Sequence, residues 1–523
     1  MPDGVIPPVT LKAFSTVSKD YLPGEFAVSS REEIRTKADQ ARHAFLIYSK
    51  RTAEEKAAFL EAIGQEIMAL GDELIRRAML ESGLPEMRLT GERARTINQL
   101  NLFAAVLREG SWVEAVIDTA MPDRKPLPRS DIRKMLVPVG PVLVFGASNF
   151  PFAFSTAGGD TASALAAGNP VIVKAHESHL GTNELMANAI KRAAQKTDIP
   201  DGVFDYVITS DIYTIQYLVK QEAIRAIGFT GSYKAGMSIF NTAATERKTP
   251  IPVFAEMSSI NPVLVLPEKL EQDGEAVAAQ LAASITLGTG QFCTNPGLIL
   301  LLENAASDKF IATLSGLLSA TAPTTMLNKS VCDNYYKTRQ TLQHQPGVTL
   351  VAMAENASAE FKGAAALFQT DAAHFVRNEN IQEEVFGPSS LIVKCKNEAE
   401  LLQCIQVLQG QLTGTVMASK KDLERFSLCI DQLKHRIGRI VYNGVPTGVE
   451  VCYAMVHGGP YPSTTNASST SVGADAIKRF ARPVCFQDCP QEFLPAELKD
   501  DPGKTIMRKI NGQYTSDKID SLS

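Results

Sequence analysis

One cysteine, Cys293, lies between two glycine-containing turns in the stretch GTGQFCTNPG, residues 288–297. A cysteine thiolate is a nucleophile, and glycines on both sides of it let a substrate come close to the sulfur. A free cysteine is also one of the most buried residue types, and it often packs as a small apolar side chain. Cys293 is therefore a candidate nucleophile whose role depends on the groups that accompany it.

Two further polar side chains stand where they could assist a thiol. Asn149 follows an apolar segment in ASNFPF, and its side-chain amide could donate to an oxyanion, although the same pattern is typical of a simple Asx turn. Glu256 in FAEMSSINP has apolar neighbours. Desolvation at that position predicts a raised carboxyl pKa, suited to a general base, and a structural ion pair is the alternative.

Residues that could bind a dinucleotide follow two other apolar segments. Lys174 ends VIVK and Glu177 comes three residues later, so the pair could contact the two hydroxyls of a ribose. A solvated strand end would explain them as well. Gly231, Ser232 and Gly236 in FTGSYKAG open a predicted helix, whose free amides could meet a pyrophosphate. This spacing is not the GxGxxG fingerprint, and alone it is weak evidence.

The candidate residues stand at the ends of short apolar segments that alternate with helices. VLVFG, VIVK, VFDYVI, AIGF and VLVL, between Val142 and about Val263, predict one parallel sheet. LIVK, TGTVMAS and RIVYNG after Cys293 predict a second one. An apolar helix from about Glu275 and a buried strand at Leu298–Leu302 flank the cysteine. The pattern predicts an α/β fold with two doubly wound domains and the cysteine between them.

The remaining parts of the chain predict helices at the start and an arm. Ser30 with Glu33, and Thr52 with Glu55, have the spacing of capping boxes ahead of apolar stripes. Two extended segments flank the turn-rich MPDRKPLPRS and predict a projecting β-hairpin. We expect a cofactor-binding domain at 1–114 and 137–255, a catalytic domain at 256–478, and a bridging arm and tail at 115–136 and 479–523.

Composition excludes several classes of protein. The 523 residues carry 52 basic and 57 acidic side chains, a net charge of -5, and 45% of them are hydrophobic, as in an ordinary globular protein with no nucleic-acid footprint. The uncharged run at 135–159 is broken by prolines and polar residues, so we expect no membrane span. The eight cysteines form no CxxC pair, which argues against zinc and a disulfide framework. The opening MPDGVIPPVT shows no targeting signal, and we expect a cytoplasmic protein.

Taken together, these motifs resemble the aldehyde dehydrogenase superfamily along nearly the whole chain. The resemblance rests on six motifs in the family's order and approximate spacing, which are SNFP with Asn149, VIVK with Lys174, GSxxxG from Gly231, Glu256, GQFC with Cys293, and EEVFGP with Glu384 and Phe386. Alone, a surface loop would explain the last motif equally well. Six motifs in order favour a catalytic role for the cysteine.

The resemblance implies a mechanism and a role for each residue. Cys293 would add to an aldehyde carbonyl, and Asn149 with the Cys293 backbone amide would stabilise the oxyanion. Oxidation would leave a thioester, which Glu256 would help water to hydrolyse. Lys174 and Glu177 would bind the adenosine ribose.

The remaining cofactor contacts and the choice of cofactor follow from the same resemblance. Gly231, Ser232 and Gly236 would meet the pyrophosphate, and Glu384 with Phe386 would meet the nicotinamide ribose and ring. Because a carboxylate at Glu177 repels a 2'-phosphate, we expect NAD to be preferred over NADP. His179 or Lys234 could soften that repulsion.

Departures from the commonest family pattern indicate a branch. EMSS stands where most members have Glu-Leu-Gly-Gly, TNPG follows the cysteine, and PTGVEVCYAMVHGGPYPSTT replaces the common PFGG stretch. These features resemble the α-ketoglutarate semialdehyde (2,5-dioxopentanoate) dehydrogenases and, more distantly, the NADP-dependent fatty aldehyde dehydrogenase of luminous bacteria. We therefore expect oxidation of α-ketoglutarate semialdehyde. A broad or fatty aldehyde dehydrogenase is the alternative, and a non-catalytic relative is a third.

A keto-acid aldehyde needs a cation for its carboxylate. GERARTINQL offers Arg93 and Arg95 on a helix that comes near the substrate tunnel in this superfamily, although a solvated helical face would explain either one. Phe152, Phe154 and Phe292 would line the same tunnel, as would Val449. The predicted arm implies a homodimer or homotetramer.

Overall fold

The computed structural model describes residues 9–355 and 360–519. The opening stretch 1–8 and the last residues of the predicted tail, 520–523, lie outside the described residues. The α-helices are Arg31–Tyr48, Ala53–Ala69, Gly71–Ser82, Glu86–Glu109, Gly159–Ala167, Leu180–Lys196, Ile212–Val219, Tyr233–Thr245, Pro267–Thr286, Ala305–Ser319, Lys329–Gln343, Ala372–Arg377, Glu398–Val407, Lys420–Arg425 and Ser427–Lys434.

Side-chain caps begin the first two helices, as the sequence predicts. Thr52 and Glu55 form the complete capping box, with both reciprocal hydrogen bonds present. Ser30 accepts a hydrogen bond from the Glu33 backbone, but the second half of that predicted box is wrong. The Glu33 carboxylate instead accepts from the Ser29 hydroxyl at 3.2 Å and pairs with Lys37. A nearby ammonium ion is a stronger partner for this carboxylate than a backbone amide.

The first sheet is entirely parallel and is covered on both faces. Its spatial order is Val253–Glu256, Ala226–Thr230, Val142–Phe145, Val171–Lys174 and Phe204–Val207. Alternate side chains of the central strands enter two different hydrophobic clusters, which explains why these strands read as continuous apolar runs. Because parallel strands end at the same edge, the segments that follow them come together there.

The second sheet contains one strand that the sequence pattern predicted in the first sheet. The segment at Val263, expected in the first sheet, forms strand Pro262–Val265 in the middle of the second. Only five residues separate it from Glu256, too few for the crossover that parallel neighbours in one sheet require. The spatial order is Thr349–Met353, Ala366–Asp371, Ser389–Cys395, Leu298–Leu302, Pro262–Val265, Gln411–Met417 and Ile437–Tyr442.

A third sheet contains the predicted hairpin and the C-terminal segment. Val116–Asp118 and Ile132–Pro138 pair antiparallel, which confirms the hairpin. Ala481–Gln487 pairs along its outer side, and Arg508–Ile510 with Gln513–Thr515 extends the other side, so the tail packs on the arm as expected. The domain bounds remain a prediction. No helix among residues 9–355 and 360–519 is both long and apolar enough to cross a membrane.

Candidate functional site

Cys293 lies on a turn between a helix and a buried strand, as predicted, although the helix begins earlier, at Pro267. The turn before it has positive φ at Gly288, Thr289 and Gly290. A Cβ at Gly290 would come within 2.3 Å of the Gly387 backbone, so only glycine fits this close approach. The Asn261 amide donates to the Cys293 carbonyl at 2.9 Å and fixes the turn from the other side.

Three reactive side chains from distant parts of the chain meet at this turn. The Cys293 sulfur lies 3.5 Å from Nε2 of His457, and that nitrogen lies 2.9 Å from Oε1 of Glu256. The Ser471 hydroxyl donates to the other Glu256 oxygen at 2.7 Å. Glu256 and His457 are buried, at 4% and 0% exposure. The arrangement joins a nucleophile, an imidazole and a carboxylate within proton-transfer distance.

Backbone pairing explains why His457 and Ser471 reach Glu256. Strand Val253–Glu256 is the edge of the first sheet, and its open side pairs with Thr464 through an antiparallel bridge opposite Glu256. The segment that carries this bridge lies between His457 and Ser471 in the chain. Thr470 also accepts a hydrogen bond from the His457 backbone at 2.8 Å. The segment therefore covers the sheet edge and delivers both side chains to one carboxylate.

His457 and Ser471 were not predicted as site residues, although His457 lies in a segment that departs from the common family pattern and Ser471 lies shortly after it. His457 stands in the VHGGPYPSTT stretch that marks the departure from the commonest family pattern. A histidine followed by two glycines, in a segment that replaces the common PFGG stretch, was the sequence feature that could have indicated a site residue. It could not show which strand edge the segment would cover, because that pairing spans about 200 residues of chain.

The environment of the cluster shifts the pKa values of both Glu256 and Cys293. Burial raises the pKa of Glu256, but the charge and hydrogen bond of His457, together with Ser471, outweigh it and leave the pKa below its ordinary value. Burial and the Glu256 carboxylate raise the pKa of the Cys293 thiol well above its usual range. The expectation of a raised Glu256 pKa is therefore wrong for this state of the protein.

Asn149 lies beside the turn that carries Cys293, and hydrogen bonds hold both its side chain and its backbone carbonyl. Its side-chain Nδ2 donates to the Gln291 carbonyl at 3.0 Å, two residues before Cys293. Its own carbonyl accepts from Arg88 Nη2 at 2.7 Å. An amide nitrogen carries two hydrogens, so one remains to donate to a bound oxygen. The geometry brings an oxyanion donor to the cysteine turn.

The carboxyl edge of the first sheet brings the candidate ribose and pyrophosphate residues together. Lys174 Nζ and Glu177 Oε1 form an ion pair at 2.9 Å, with Lys174 buried and Glu177 exposed. Gly231 and Ser232 lie in an exposed turn, where the Gly231 amide donates to the Glu256 carbonyl. Gly236 is buried, and a Cβ there would approach Met257 Sδ to 2.7 Å. Gly236 thus permits close helix packing rather than facing solvent, as its predicted pyrophosphate contact would require, while Gly231 and Ser232 stay exposed.

Glu384 and Phe386 line a cavity beside the nucleophile turn. Gly290 and Phe292 face the same cavity. Burial raises the pKa of Glu384 to about 7, against the lowering effect of hydrogen bonds from Ser258 and Ser259. A partly buried carboxylate with this few partners has capacity left to accept further hydrogen bonds.

Of the residues predicted to bind the substrate, Arg95 and Phe154 lie near the reactive cluster, whereas Arg93 and Phe152 are engaged elsewhere. The Arg95 guanidinium stacks on the Phe154 ring at 5.0 Å, and the Phe154 ring lies 6.2 Å from the His457 ring. Arg95 also makes long contacts, 3.3 and 3.4 Å, to the Val449 carbonyl. By contrast, Arg93 donates to the Gly71 carbonyl at 2.8 Å. Phe152 is fully buried within the hydrophobic core, so it offers no surface to a substrate.

The same three reactive groups have the donor types of a site for thiophilic metals. One ligand atom from each of Glu256, Cys293 and His457 lies within 4.8 Å of the others. The covalent chemistry described above uses the same atoms, and a metal ion there would compete with it.

Comparisons with known proteins relate the chain to one enzyme family. The chain matches the profile of the aldehyde dehydrogenase family over residues 16–483. It is similar to "Alpha-ketoglutaric semialdehyde dehydrogenase 2" of Azospirillum brasilense, 46% identical over 96% of each chain. It is also similar to "Alpha-ketoglutaric semialdehyde dehydrogenase" of Acinetobacter baylyi, 45% identical over 95% of this chain and 94% of the relative.

A solved structure shares the fold at lower sequence identity. The 1-pyrroline-5-carboxylate dehydrogenase from Thermus with bound NAD superposes with a TM-score of 0.76 at 20% identity, covering 92% of this chain and 90% of that one. This likeness confirms the predicted α/β fold. The match to the family profile over residues 16–483, with relatives at 46% and 45% identity, shows that the chain belongs to the aldehyde dehydrogenase family.

Proposed function

We propose that this aldehyde dehydrogenase oxidises α-ketoglutarate semialdehyde to α-ketoglutarate through a thioester on Cys293. The observation that carries the proposal is Arg95, a cation that lies beside the Cys293, His457 and Glu256 cluster and has no carboxylate partner among the described residues. The relatives at 45% and 46% identity that are named for this substrate support the same choice.

The free enzyme holds Cys293 as a thiol, because the pKa of the thiol is raised. Attack on an aldehyde carbonyl requires the thiol proton to leave. The Glu256 carboxylate hydrogen-bonds directly with the Cys293 thiol and is the group that would take this proton, which must then leave the site before Glu256 acts on water. The Asn149 amide and the Cys293 backbone N–H then donate to the oxyanion. Losing one such donor typically costs about 3 to 4 kcal/mol of transition-state stabilisation.

The fit of the ribose-facing residues supports a nicotinamide dinucleotide as the cofactor. Lys174 and Glu177 would hold its adenosine ribose, the Gly231 and Ser232 turn its pyrophosphate, and Glu384 its second ribose. When bound, this cofactor supplies the acceptor for the two electrons that the aldehyde carbon loses. The protein's own groups position the carbon and handle the protons.

Hydrolysis of the thioester needs a base that stays ionised. The lowered pKa of Glu256 keeps its carboxylate charged at neutral pH, and His457 beside it can share a proton taken from water. Enzymes of this superfamily that pass the acyl group to CoA usually lack this glutamate, so the geometry favours the free acid as product.

Arg95 is the residue we assign to the substrate carboxylate. Burial lowers its pKa, while the charges of Glu92, Glu256 and Glu450 oppose that effect. A partly buried guanidinium without an ion-pair partner is costly, and a bound carboxylate would compensate it with two parallel hydrogen bonds. The long contacts to the Val449 carbonyl are weak enough to be exchanged.

We also propose an oligomeric state, a cellular location and a preferred cofactor. The exposed strand edge of the third sheet favours a homodimer or homotetramer. We propose a cytoplasmic protein that prefers NAD, because Glu177 would repel a 2'-phosphate while Lys174 neutralises it only in part.

A substrate panel tests the proposed reaction. We expect kcat/KM for α-ketoglutarate semialdehyde to exceed that for hexanal by about 100-fold, since a carboxylate held by a partly buried arginine contributes about 2 to 5 kcal/mol. NADH absorbance measures the rates, and Cys293→Ala is the inactive control. Equal or better use of hexanal would favour the broad or fatty aldehyde dehydrogenase instead.

The same panel run with both cofactors tests the cofactor proposal. We expect a higher kcat/KM with NAD than with NADP, because of the carboxylate at Glu177. In Glu177→Gln the ratio should move towards NADP, since the repulsion is removed and Lys174 is left without its partner. A tenfold preference for NADP in the wild-type enzyme would contradict the assignment.

Substitution of the two arginines separates their roles. Arg95→Ala should raise KM for the keto-acid aldehyde by about 10- to 100-fold and change KM for hexanal much less, because only the first substrate carries a carboxylate. Arg93→Ala is the matched comparison from the same helix, and its guanidinium is bound to the Gly71 carbonyl. Equal effects on both aldehydes would remove Arg95 from the carboxylate site.

Alkylation of Cys293 tests the protonation of the cluster. Because burial and Glu256 raise the thiol pKa, iodoacetamide should react slowly at neutral pH and faster as the pH rises, and modification should abolish activity. Glu256→Gln should speed alkylation at pH 8 by about tenfold for each pKa unit regained. Peptide mass mapping measures the rate at Cys293. An unchanged or slower rate in this variant, or an alkylated enzyme that stays active, would contradict the account.

A further inference from the structure

Arg88 occupies an unusual position between the two turns that build the reaction centre. Its guanidinium carbon lies 4.9 Å from the centre of the Phe150 ring and 4.6 Å from the centre of the Phe292 ring. Phe150 directly follows Asn149, and Phe292 directly precedes Cys293. The two rings also contact each other edge to face, at 5.4 Å. Arg88 therefore stacks at once on the neighbour of the oxyanion donor and on the neighbour of the nucleophile.

Its hydrogen bond continues towards the cysteine. Arg88 Nη2 donates to the Asn149 carbonyl at 2.7 Å, and the Asn149 side chain donates to the Gln291 carbonyl at 3.0 Å. Gln291 is two residues before Cys293. A short path of contacts thus leads from helix Glu86–Glu109, through Asn149, to the nucleophile turn.

The helix that carries Arg88 holds the same turn at a second point. Glu92, one helical turn further on, accepts from the backbone amides of Phe152 and Ala153 at 2.8 and 3.0 Å. Arg88 therefore binds the carbonyl at the start of this turn, and Glu92 binds the amides at its end. The spacing of four residues places both on one face of helix Glu86–Glu109.

The space around the guanidinium fits an arginine closely. A Cβ on Gly288 would lie 2.5 Å from Arg88 Nη1, so the glycine leaves room for this nitrogen against the nucleophile turn. Burial lowers the pKa of Arg88, and the Glu92 charge opposes that. Among the described residues Nη1 has no hydrogen-bond partner, and no ion pair is formed. A planar group is needed to contact two rings and a carbonyl together.

We propose that Arg88 is a positioning residue that holds the Asn149 turn against the Cys293 turn, so that both oxyanion donors point at one substrate oxygen. Its hydrogen bond goes to the Asn149 carbonyl and its ring contacts go to Phe150 and Phe292, so it would act through these groups. Transition-state stabilisation by preorganised donors depends steeply on their placement, and small displacements reduce the rate strongly. The inference rests on the proposed thioester chemistry at Cys293, but not on the identity of the aldehyde.

The test compares Arg88→Ala and Arg88→Lys with the wild-type enzyme on two aldehydes. We expect Arg88→Ala to lower kcat by about 10- to 100-fold on both α-ketoglutarate semialdehyde and hexanal, with KM for NAD changed by less than about twofold. Arg88→Lys keeps the positive charge but lacks the planar guanidinium, so its kcat should lie between those of Arg88→Ala and the wild-type enzyme. Arg76→Ala, an exposed arginine on the preceding helix, is the matched control.

Two further measurements separate positioning from general structural support. Methylguanidinium added to Arg88→Ala should restore part of kcat by filling the space between the rings. In an Asn149→Ala background, Arg88→Ala should add little further loss, because its effect passes through Asn149.

Three outcomes would overturn the inference. They are an unchanged kcat in both variants, an additive loss in the double variant, and a loss confined to KM for the keto acid. The last would make Arg88 a substrate-binding residue. If only hexanal is oxidised by the wild-type enzyme, the proposed substrate fails while the Arg88 test stands on hexanal.

Discussion

The contact between His457, Glu256 and Cys293 is the interaction on which the site depends. It joins the edge of the first sheet, the turn before a strand of the second sheet, and a covering segment that pairs with the first sheet. The carboxylate alone would be costly to bury, and the charge and hydrogen bond of His457 offset that cost. The thiol keeps a raised pKa beside this carboxylate, which is the group placed to take its proton.

Much of this arrangement could be predicted from the sequence, because it follows from local patterns. Parallel strands end at one edge of a sheet, and Lys174, Gly231 and Glu256 lie at the ends of three parallel strands of the first sheet. Cys293 between glycines, and a strand directly after it, are equally local. Where a prediction failed, as for the strand at Val263, the cause was the length of a connection rather than the type of element.

What the sequence could not predict are contacts set by long-range packing. His457 reaches Glu256 only because Thr464 pairs with the open edge of the first sheet. That contact reverses the expected direction of the Glu256 pKa, since a desolvated carboxylate beside an imidazole is stabilised in its charged form. The choice between Arg93 and Arg95 had the same origin, because their side chains differ in which backbone carbonyl they meet.

The most direct measurement is mass spectrometry of Glu256→Gln after rapid acid quenching, with α-ketoglutarate semialdehyde and NAD present. Cys293 should still form the thioester in this variant, because its thiol pKa is raised less without the Glu256 carboxylate and a thiolate forms more readily. Hydrolysis of the thioester should be slowed because the base is absent. The account predicts that an acyl adduct accumulates on the peptide containing Cys293 and that it is absent from Cys293→Ala. NADH formation in the first turnover without any adduct on Cys293, or an adduct on another cysteine, would contradict it.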